Sequence, residues 1–362
     1  MSNEKVYVYI GRFQPTHIGH EATIKNAMQN CDRLVLLVGS SDLAPDPKNP
    51  FTFDDRFKVL DAICDRIAKE EWSSGRKVKY NIKPLHDYVY NNTKWLKEVQ
   101  YQVQSCTTST DITVTGCKKA NDASTFYLDF FPQWKQDFID EVNGLEKYGI
   151  TDPKVINSTS VRKEYLENFV INYKVLPPET IEFMEKFIKI KNEAFELLQK
   201  EHKFVEQYKA DMKAKLPYDT IPFLTGDSLV TCCGNILVGV RKTFPGKNLY
   251  CLIGGFFDAW KDKDQTDTAI RELYEETRLK VPEKVVRGNI RSVTEFGDFN
   301  RSLRWRIITK CVYIQLPDST LPKVKGSDDL KDAFWMPLAD VEKNRDKFFE
   351  DHYSIISLLL NL

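Results

Sequence analysis

Nothing in the 362 residues tilts the charge: 52 Lys and Arg stand against 52 Asp and Glu. A balanced chain offers no long-range field for nucleic acid or an anionic membrane, so neither is expected as a partner. No apolar run approaches the ~20 residues that would span a bilayer. Met1-Ser2-Asn3-Glu4-Lys5 leads straight into a strand-like stretch at 6–10, without the charged-then-apolar pattern of a signal segment. Cysteine is scattered: eight residues, none spaced Cys-x-x-Cys, with only five histidines, which argues against a zinc site of the usual spacing. These absences predict a reduced, cytoplasmic protein. They leave a homo-oligomer open. Internal repeats and low-complexity tracts are also missing.

What is present is enough apolar residue for two cores. Hydrophobic residues make up 42% and charged residues 29%, and the length suggests two domains at ~150 residues each. In the first half, buried-type strands at 6–10, 34–38 and 111–116 alternate with helical patterns, the first of them at about 21–30. That alternation argues for right-handed βαβ units, an α/β fold with a mostly parallel sheet and ligands at the carboxyl ends of its strands. Pro177-Pro178 precedes a long helical pattern from Glu179 to about Lys215, whose second half reads as a bridge. Hairpin-like strands then follow at 228–233 and 236–241, around a turn at Gly234-Asn235.

Two clusters carry chemistry. In Gly11-Arg12-Phe13-Gln14-Pro15-Thr16-His17-Ile18-Gly19-His20, two of the five histidines lie in one loop between a strand and a helix. Gly19 allows close backbone approach, the helix start offers N–H groups to a triphosphate, and the imidazoles can donate to phosphate oxygens as charge develops. Ile156-Asn157-Ser158-Thr159-Ser160-Val161-Arg162 adds hydroxyls (Ser158, Thr159) and a guanidinium suited to outer phosphates.

With these residues in place, the first half resembles the nicotinamide-mononucleotide adenylyltransferases, within the nucleotidyltransferases that share His-x-Gly-His. Residues 11–20, Thr159-x-x-Arg162, the segment 49–56 and Asn91-Asn92-x-x-Trp95 all fit in order, across roughly residues 5–175. The resemblance implies a Rossmann-like domain. His17, His20 and Arg162 would be catalytic, and Gly11, Arg12, Phe13, Gln14, Gly19, Asn49, Arg56, Ser158 and Thr159 would bind ATP or substrate. Asn91 and Trp95 would meet the nicotinamide. Trp95, Val99 and Val103 also fall at helical spacing, which is the signature of a core indole. One departure stands between Ser41 and Asn49: where relatives commonly carry a basic residue, this chain reads Leu43-Ala44-Pro45-Asp46-Pro47-Lys48, with Lys48 as the residue that could compensate.

The second cluster follows Gly254-Gly255. Ala269-Ile270-Arg271-Glu272-Leu273-Tyr274-Glu275-Glu276-Thr277 puts Glu272, Glu275 and Glu276 on one helix face. Carboxylates crowded in this way repel unless a cation neutralises them, and Mg²⁺ or Mn²⁺ suits pyrophosphate chemistry. The segment resembles the Nudix box, implying an α/β/α sandwich with a mixed sheet in which Gly255 and Arg271 support the metal-binding glutamates. Two departures stand out. Lys261 occupies the place of the first glutamate in a loop two residues longer than the pattern, and Arg278 replaces a later glycine. Asp258 and the acids at 262–264 lie nearby. Glu295, Asp298 and Asp328 are candidate bases, and Arg301, Arg304 and Arg306 could meet a diphosphate.

Together the halves resemble bifunctional proteins that join the two activities, with domains expected at 1–185 and 217–362 and a helical linker at 186–216. The implied partners are ATP, nicotinamide mononucleotide, NAD and ADP-ribose, the last cleaved to AMP and ribose 5-phosphate. Two alternatives stay open: a Nudix half that senses ADP-ribose or NAD without hydrolysing it, and a transferase for another acceptor, such as a pantetheine phosphate or flavin mononucleotide.

Overall fold

The computed structural model describes residues 4–118, 129–140, 157–190, 192–216, 218, 221–317 and 319–362. The chain forms two compact units, Met1–Gln199 and Lys200–Leu362. Among the described residues, no helix is long and apolar enough to cross a membrane.

In the first unit, β1 (Val6–Gly11), α1 (Ile18–Asn30), β2 (Arg33–Val38), α2 (Phe53–Ser73), β3 (Lys79–Pro84), α3 (Asn92–Gln104), β4 (Ile112–Lys118) and β5 (Lys135–Asp140) build a five-stranded sheet in the order β3-β2-β1-β4-β5. Every pairing is parallel. β1 and β2 read as unbroken apolar runs because both their faces are covered. Tyr7, Tyr9, Leu34 and Leu36 pack under α1 and α2 against Ile24, Met28, Leu60 and Ile63. Val8, Ile10, Val35 and Leu37 face α3 through Val99 and Val103. Each fully buried side chain of this size contributes roughly 1.5–3 kcal/mol.

Three helices complete this part: α4 (Ser158–Asn168), α5 (Pro178–Ile190) and α6 (Asn192–Lys215). The stretch expected as one long helix is therefore two, on either side of Lys191, which lies outside the described residues. The unit boundary falls within α6. Its Phe195 and Leu198 join the first unit's core, whereas the ring of Phe204 lies 6.4 Å from that of Phe244 in the second unit.

The second unit holds β6 (Phe223–Cys232), β7 (Asn235–Arg241), β8 (Tyr250–Cys251), β9 (Ile253–Phe256), α7 (Gln265–Thr277), α8 (Glu283–Gly288), β10 (Ile290–Phe296), β11 (Ile307–Gln315), β12 (Leu330–Pro337), α9 (Leu338–Val341) and α10 (His352–Leu360). Its mixed sheet runs β10-β11-β6-β7-β12, with β9 on β6 and β8 on β7. β11 and β6 are parallel and the other pairs antiparallel. The hairpin turn lies one residue earlier than expected. Cys232 pairs with Asn235, so Cys233 and Gly234 occupy the two turn positions, both at positive φ (48° and 70°). A two-residue loop matching the strand twist needs that pair of angles. α7 comes unusually close to β6, since a Cβ at Gly226 would stand 2.2 Å from the Gln265 carbonyl oxygen.

Candidate active sites

The first sheet changes its direction of growth at β1: β2 and β3 add on one side, β4 and β5 on the other. Ligands in open α/β sheets bind in the crevice at such a switch, beyond the carboxyl ends of the strands. The loop after β1 enters that crevice. Helix α1 begins at Ile18, three residues before the expected start, because the two histidines cap it. The His17 Nδ1 accepts from the His20 N–H at 3.3 Å, and the His20 Nδ1 accepts from the His17 N–H at 3.2 Å. The rings stack 3.7 Å apart at 17°. An Nδ1 that accepts carries no proton, which leaves Nε2 as the protonated nitrogen of each ring. The cap also uses backbone groups that the sequence reading had assigned to a triphosphate. The Ile18 N–H goes to the Val175 carbonyl at 3.0 Å and that of His20 to His17.

Cations gather around the loop. The Arg162 guanidinium is buried, donating to the Gln14 carbonyl at 2.5 Å and to the Thr159 Oγ1 at 3.2 Å. Burial, with the neighbouring Arg12 charge, lowers its pKa to about 10. Lys48 is likewise pulled down by burial and by Arg12 and Arg162, against the opposing charges of Asp46 and Asp87. Arg12 lies close enough to bring down both Arg162 and Lys48, and cations crowded around one loop suit a polyanion. Thr159 and Ser158 open α4, whose cap is Asn157, its side chain accepting from the Thr159 N–H at 2.8 Å. Ile156 lies outside the described residues.

Other expected site residues are occupied as scaffold. Gln14 is buried and clasps Phe51 in both directions, at 2.8 and 3.1 Å. Arg56 donates to the carbonyls of Arg12, Gly39, Ser40 and Thr52 at 2.6–3.2 Å, tying the loops after β1 and β2 together. The Asn91 side-chain oxygen caps α3 through the Lys94 N–H at 2.9 Å. Trp95 packs against the core, its ring 6.2 Å from that of Phe131. The Asn49 Oδ1, by contrast, is buried with no hydrogen-bond partner. A buried acceptor without a protein partner is uncommon in a folded chain. Phe13 and Gly11 pack on each other: a Cβ at Gly11 would stand 2.8 Å from the Phe13 ring. Gly19 lies in the first turn of α1.

In the second unit, α7 brings its carboxylates to β9. Glu276 is 5% exposed and its Oε2 accepts from the Gly254 N–H at 3.3 Å. The carboxylate of Glu272 crosses Gly255 so closely that a Cβ there would meet it at 2.4 Å. Burial, and then the charge of Glu272, push Glu276 up to about 8. Arg271 orders the rest of the face. Its Nη1 donates to Glu272 at 2.7 Å and to the exposed Glu275 at 2.9 Å. Among the described residues, no three His, Cys, Asp or Glu side chains converge closely enough to hold a metal ion, since Glu275 turns to Arg271 rather than to Glu276. Glu272 and Glu276 nevertheless fit a hard divalent cation: both are oxygen donors, both largely withdrawn from solvent, and neither is stable as a close pair of bare charges.

Both sequence departures acquire a local cause. The acid that locks Arg271 is Asp262, two bonds at 2.8 and 2.9 Å, with its pKa held down to about 2 chiefly by that guanidinium. The longer loop has shifted the acid by one residue, while Lys261 points outward to Asp258 at 3.4 Å. Arg278 caps α7 in the left-handed region, at φ 48° and ψ 35°, where relatives keep glycine. Of the candidate bases, Asp328 lies on a loop bonded to the last turn of α7, the Ser327 N–H donating to the Glu276 carbonyl at 2.8 Å. Its neighbour Asp329, which sequence reasoning had missed, adds to the raised pKa of Glu276. Glu295 is exposed on β10, and the Asp298 Oδ1 accepts from the Asn300 N–H. The arginines at 301 and 304 are not on a solvated strand. Arg301 forms a buried two-bond pair with Asp351 at 2.9 and 3.0 Å, and Arg304 lies beside Glu350 at 3.9 Å.

The fold and the two sites define a nucleotidyltransferase-type unit joined to a Nudix-type unit. Residues 8–164 match the cytidylyltransferase-like family and residues 227–359 the NUDIX domain. A crystal structure of a bifunctional NMN adenylyltransferase/ADP ribose pyrophosphatase from Francisella tularensis is 30% identical, covering 99% of each chain with a TM-score of 0.84. A second structure of that protein, complexed with AMP and a Mn ion, is 29% identical over 99% of each chain, at a TM-score of 0.83. The nicotinamide/nicotinic acid mononucleotide adenylyltransferase of Acinetobacter baylyi is 28% identical over 181 residues, 50% of this chain and 85% of that protein. The chain belongs to the family of bifunctional NMN adenylyltransferase/ADP-ribose pyrophosphatases.

Proposed function

We propose that this chain makes NAD from ATP and nicotinamide mononucleotide in its first unit and hydrolyses ADP-ribose to AMP and ribose 5-phosphate in its second. The observation carrying the first activity is the stacked pair His17 and His20, both accepting backbone N–H groups through Nδ1, in the loop that also holds Arg12 and is met by Arg162. The acceptor's 5′-phosphate oxygen bonds to the α-phosphorus of ATP while the bond from that phosphorus to the β-phosphate oxygen breaks, releasing pyrophosphate. Positioning and charge stabilisation suffice for such a step, without a covalent nucleophile. The histidine and arginine donors meet the negative charge that moves onto the phosphate oxygens. Asn49 offers its orphan oxygen to the substrate, and Arg56, Gln14 and Asn91 hold the loops in place.

In the second unit, Glu272 and Glu276 would hold Mg²⁺ or Mn²⁺, with Glu275 able to join on release from Arg271. Bound there, the metal would polarise the diphosphate and activate water. Arg271, clamped by Asp262, keeps the Glu272 carboxylate over Gly255, and the Gly254 N–H orients that of Glu276. The reading as a non-hydrolytic sensor rested on Lys261 and Arg278. Asp262 and the left-handed cap give both positions a structural explanation, which favours turnover. The test is a product assay of the intact protein. ATP with nicotinamide mononucleotide should give NAD and pyrophosphate, and ADP-ribose with Mg²⁺ or Mn²⁺ should give AMP. Faster transfer to pantetheine phosphate or flavin mononucleotide would overturn the acceptor assignment, and tight binding of ADP-ribose without AMP release would overturn the hydrolase.

A further inference from the structure

The loop between β9 and α7 presents Trp260 at 96% exposure, the most exposed large apolar side chain among those described. The turn beneath it is not loose. The Asp258 Oδ1 accepts from the Trp260 N–H at 2.9 Å, and the Asp258 carbonyl accepts from Lys261 and Asp262 at 3.0 and 2.8 Å. The Asp258 N–H returns a bond to the Asp262 Oδ2 at 3.0 Å. Arg271 fastens both ends, bonding the Phe256 carbonyl at 3.2 Å and Asp262 at 2.8 and 2.9 Å. The same guanidinium holds Glu272 and Glu275. One side chain therefore ties the turn that carries this solvent-facing indole to the carboxylates that would handle the diphosphate.

An indole held in water forgoes the burial of a large apolar surface. Such an arrangement suits a flat aromatic partner that arrives with the substrate. A dinucleotide whose diphosphate lies at Glu272 and Glu276 carries its base one ribose away, and every base has a π-face to stack. We propose that Trp260 is the platform on which the nucleobase of the dinucleotide stacks in the second unit's site. This rests on the reading of that unit as an ADP-ribose hydrolase.

The experiment is steady-state hydrolysis of ADP-ribose by the full chain and by Trp260→Ala and Trp260→Phe, with the intrinsic fluorescence of each titrated with ADP-ribose and with AMP. Trp260→Ala should raise KM roughly five- to a hundredfold with kcat within about twofold, from the usual strength of base stacking. Trp260→Phe should recover most of the loss. Ligand quenching seen in the wild type should disappear in Trp260→Phe. An unchanged KM in Trp260→Ala overturns the proposal, as does an equal loss of kcat in both variants, or a wild-type dimer that Trp260→Ala converts to monomer in sedimentation. If the wild type hydrolyses no ADP-ribose, the activity assignment fails on its own. The fluorescence titration then decides for Trp260: quenching lost in Trp260→Phe supports it, and identical quenching in both proteins refutes it.

Discussion

His17 has two separable jobs, and a pair of substitutions pulls them apart. Its Nδ1 caps α1 by accepting from the His20 N–H, while its Nε2 proton is the proposed phosphate donor. Alanine removes both; asparagine keeps an N-cap acceptor and removes the donor at the far side of the ring. Losing a side-chain cap costs about 1 kcal/mol, which for a unit of this size lowers the melting temperature by about 2–4 °C. Losing one donor to developing charge typically slows turnover by about 10²–10³. His17→Ala should therefore be both less stable and slow. His17→Asn should be equally slow but melt within about 1 °C of the wild type, given asparagine's rank as a cap. NAD formation can be followed by enzymatic reduction to NADH, with thermal unfolding by circular dichroism. ADP-ribose hydrolysis serves as an internal control and should stay unchanged in both. A His17→Asn protein that makes NAD within twofold of the wild-type rate would refute the donor role, and a parallel fall in hydrolysis would refute the independence of the two sites.

Replacing Arg278 by glycine should stabilise the second unit by roughly 0.5–1 kcal/mol. It relieves the ~1–2 kcal/mol of a side chain in the left-handed region, less what glycine adds to the unfolded chain's freedom and the exposed Ser327 bond; denaturant unfolding that shows no gain contradicts this. Asp262 has a folded-state pKa below its unfolded value, so its stabilisation is complete above about pH 4 and fades as the pH falls toward about 2. Asp262→Asn should thus lose on the order of 1–2 kcal/mol at pH 7 and converge with the wild type near pH 2; a stability gap independent of pH would exclude the Arg271 pairing as its source. Glu276→Gln should reduce ADP-ribose hydrolysis by ~10²-fold or more while NAD formation stays within twofold, and residual hydrolysis above a tenth of wild type would remove Glu276 from the metal-binding set.

Much of the site was legible in the chain because its signals are local. The histidines, Thr159 with Arg162, and the glutamates at one helix face act over three or four residues, and the helical repeat makes such neighbours meet. Roles that depend on distant partners were not legible. Arg56 looked like a substrate ligand, but its guanidinium bridges carbonyls up to 44 residues away in sequence. Arg301 and Arg304 looked like cations for a diphosphate, yet Arg301 pairs with Asp351 and Arg304 lies beside Glu350, both near the end of the chain. Lys261 seemed to break the Nudix pattern because counting from the glycine assumes a fixed loop length, whereas Arg271 selects the acid within reach.

The amino-acid order by itself carried the two-unit organisation, the alternation that builds a parallel sheet in the first, and the two clusters of candidate site residues. Apolar periodicity and short polar motifs are properties of contiguous chain and survive without a fold. Only the tertiary structure decided that His17 and His20 cap a helix and so carry their protons on Nε2. It alone decided that Arg12 and Arg162 lie close to Lys48, and that Asp262 and Trp260 flank the glutamate helix. Those assignments depend on distances and burial between segments brought together by folding, which no local pattern contains.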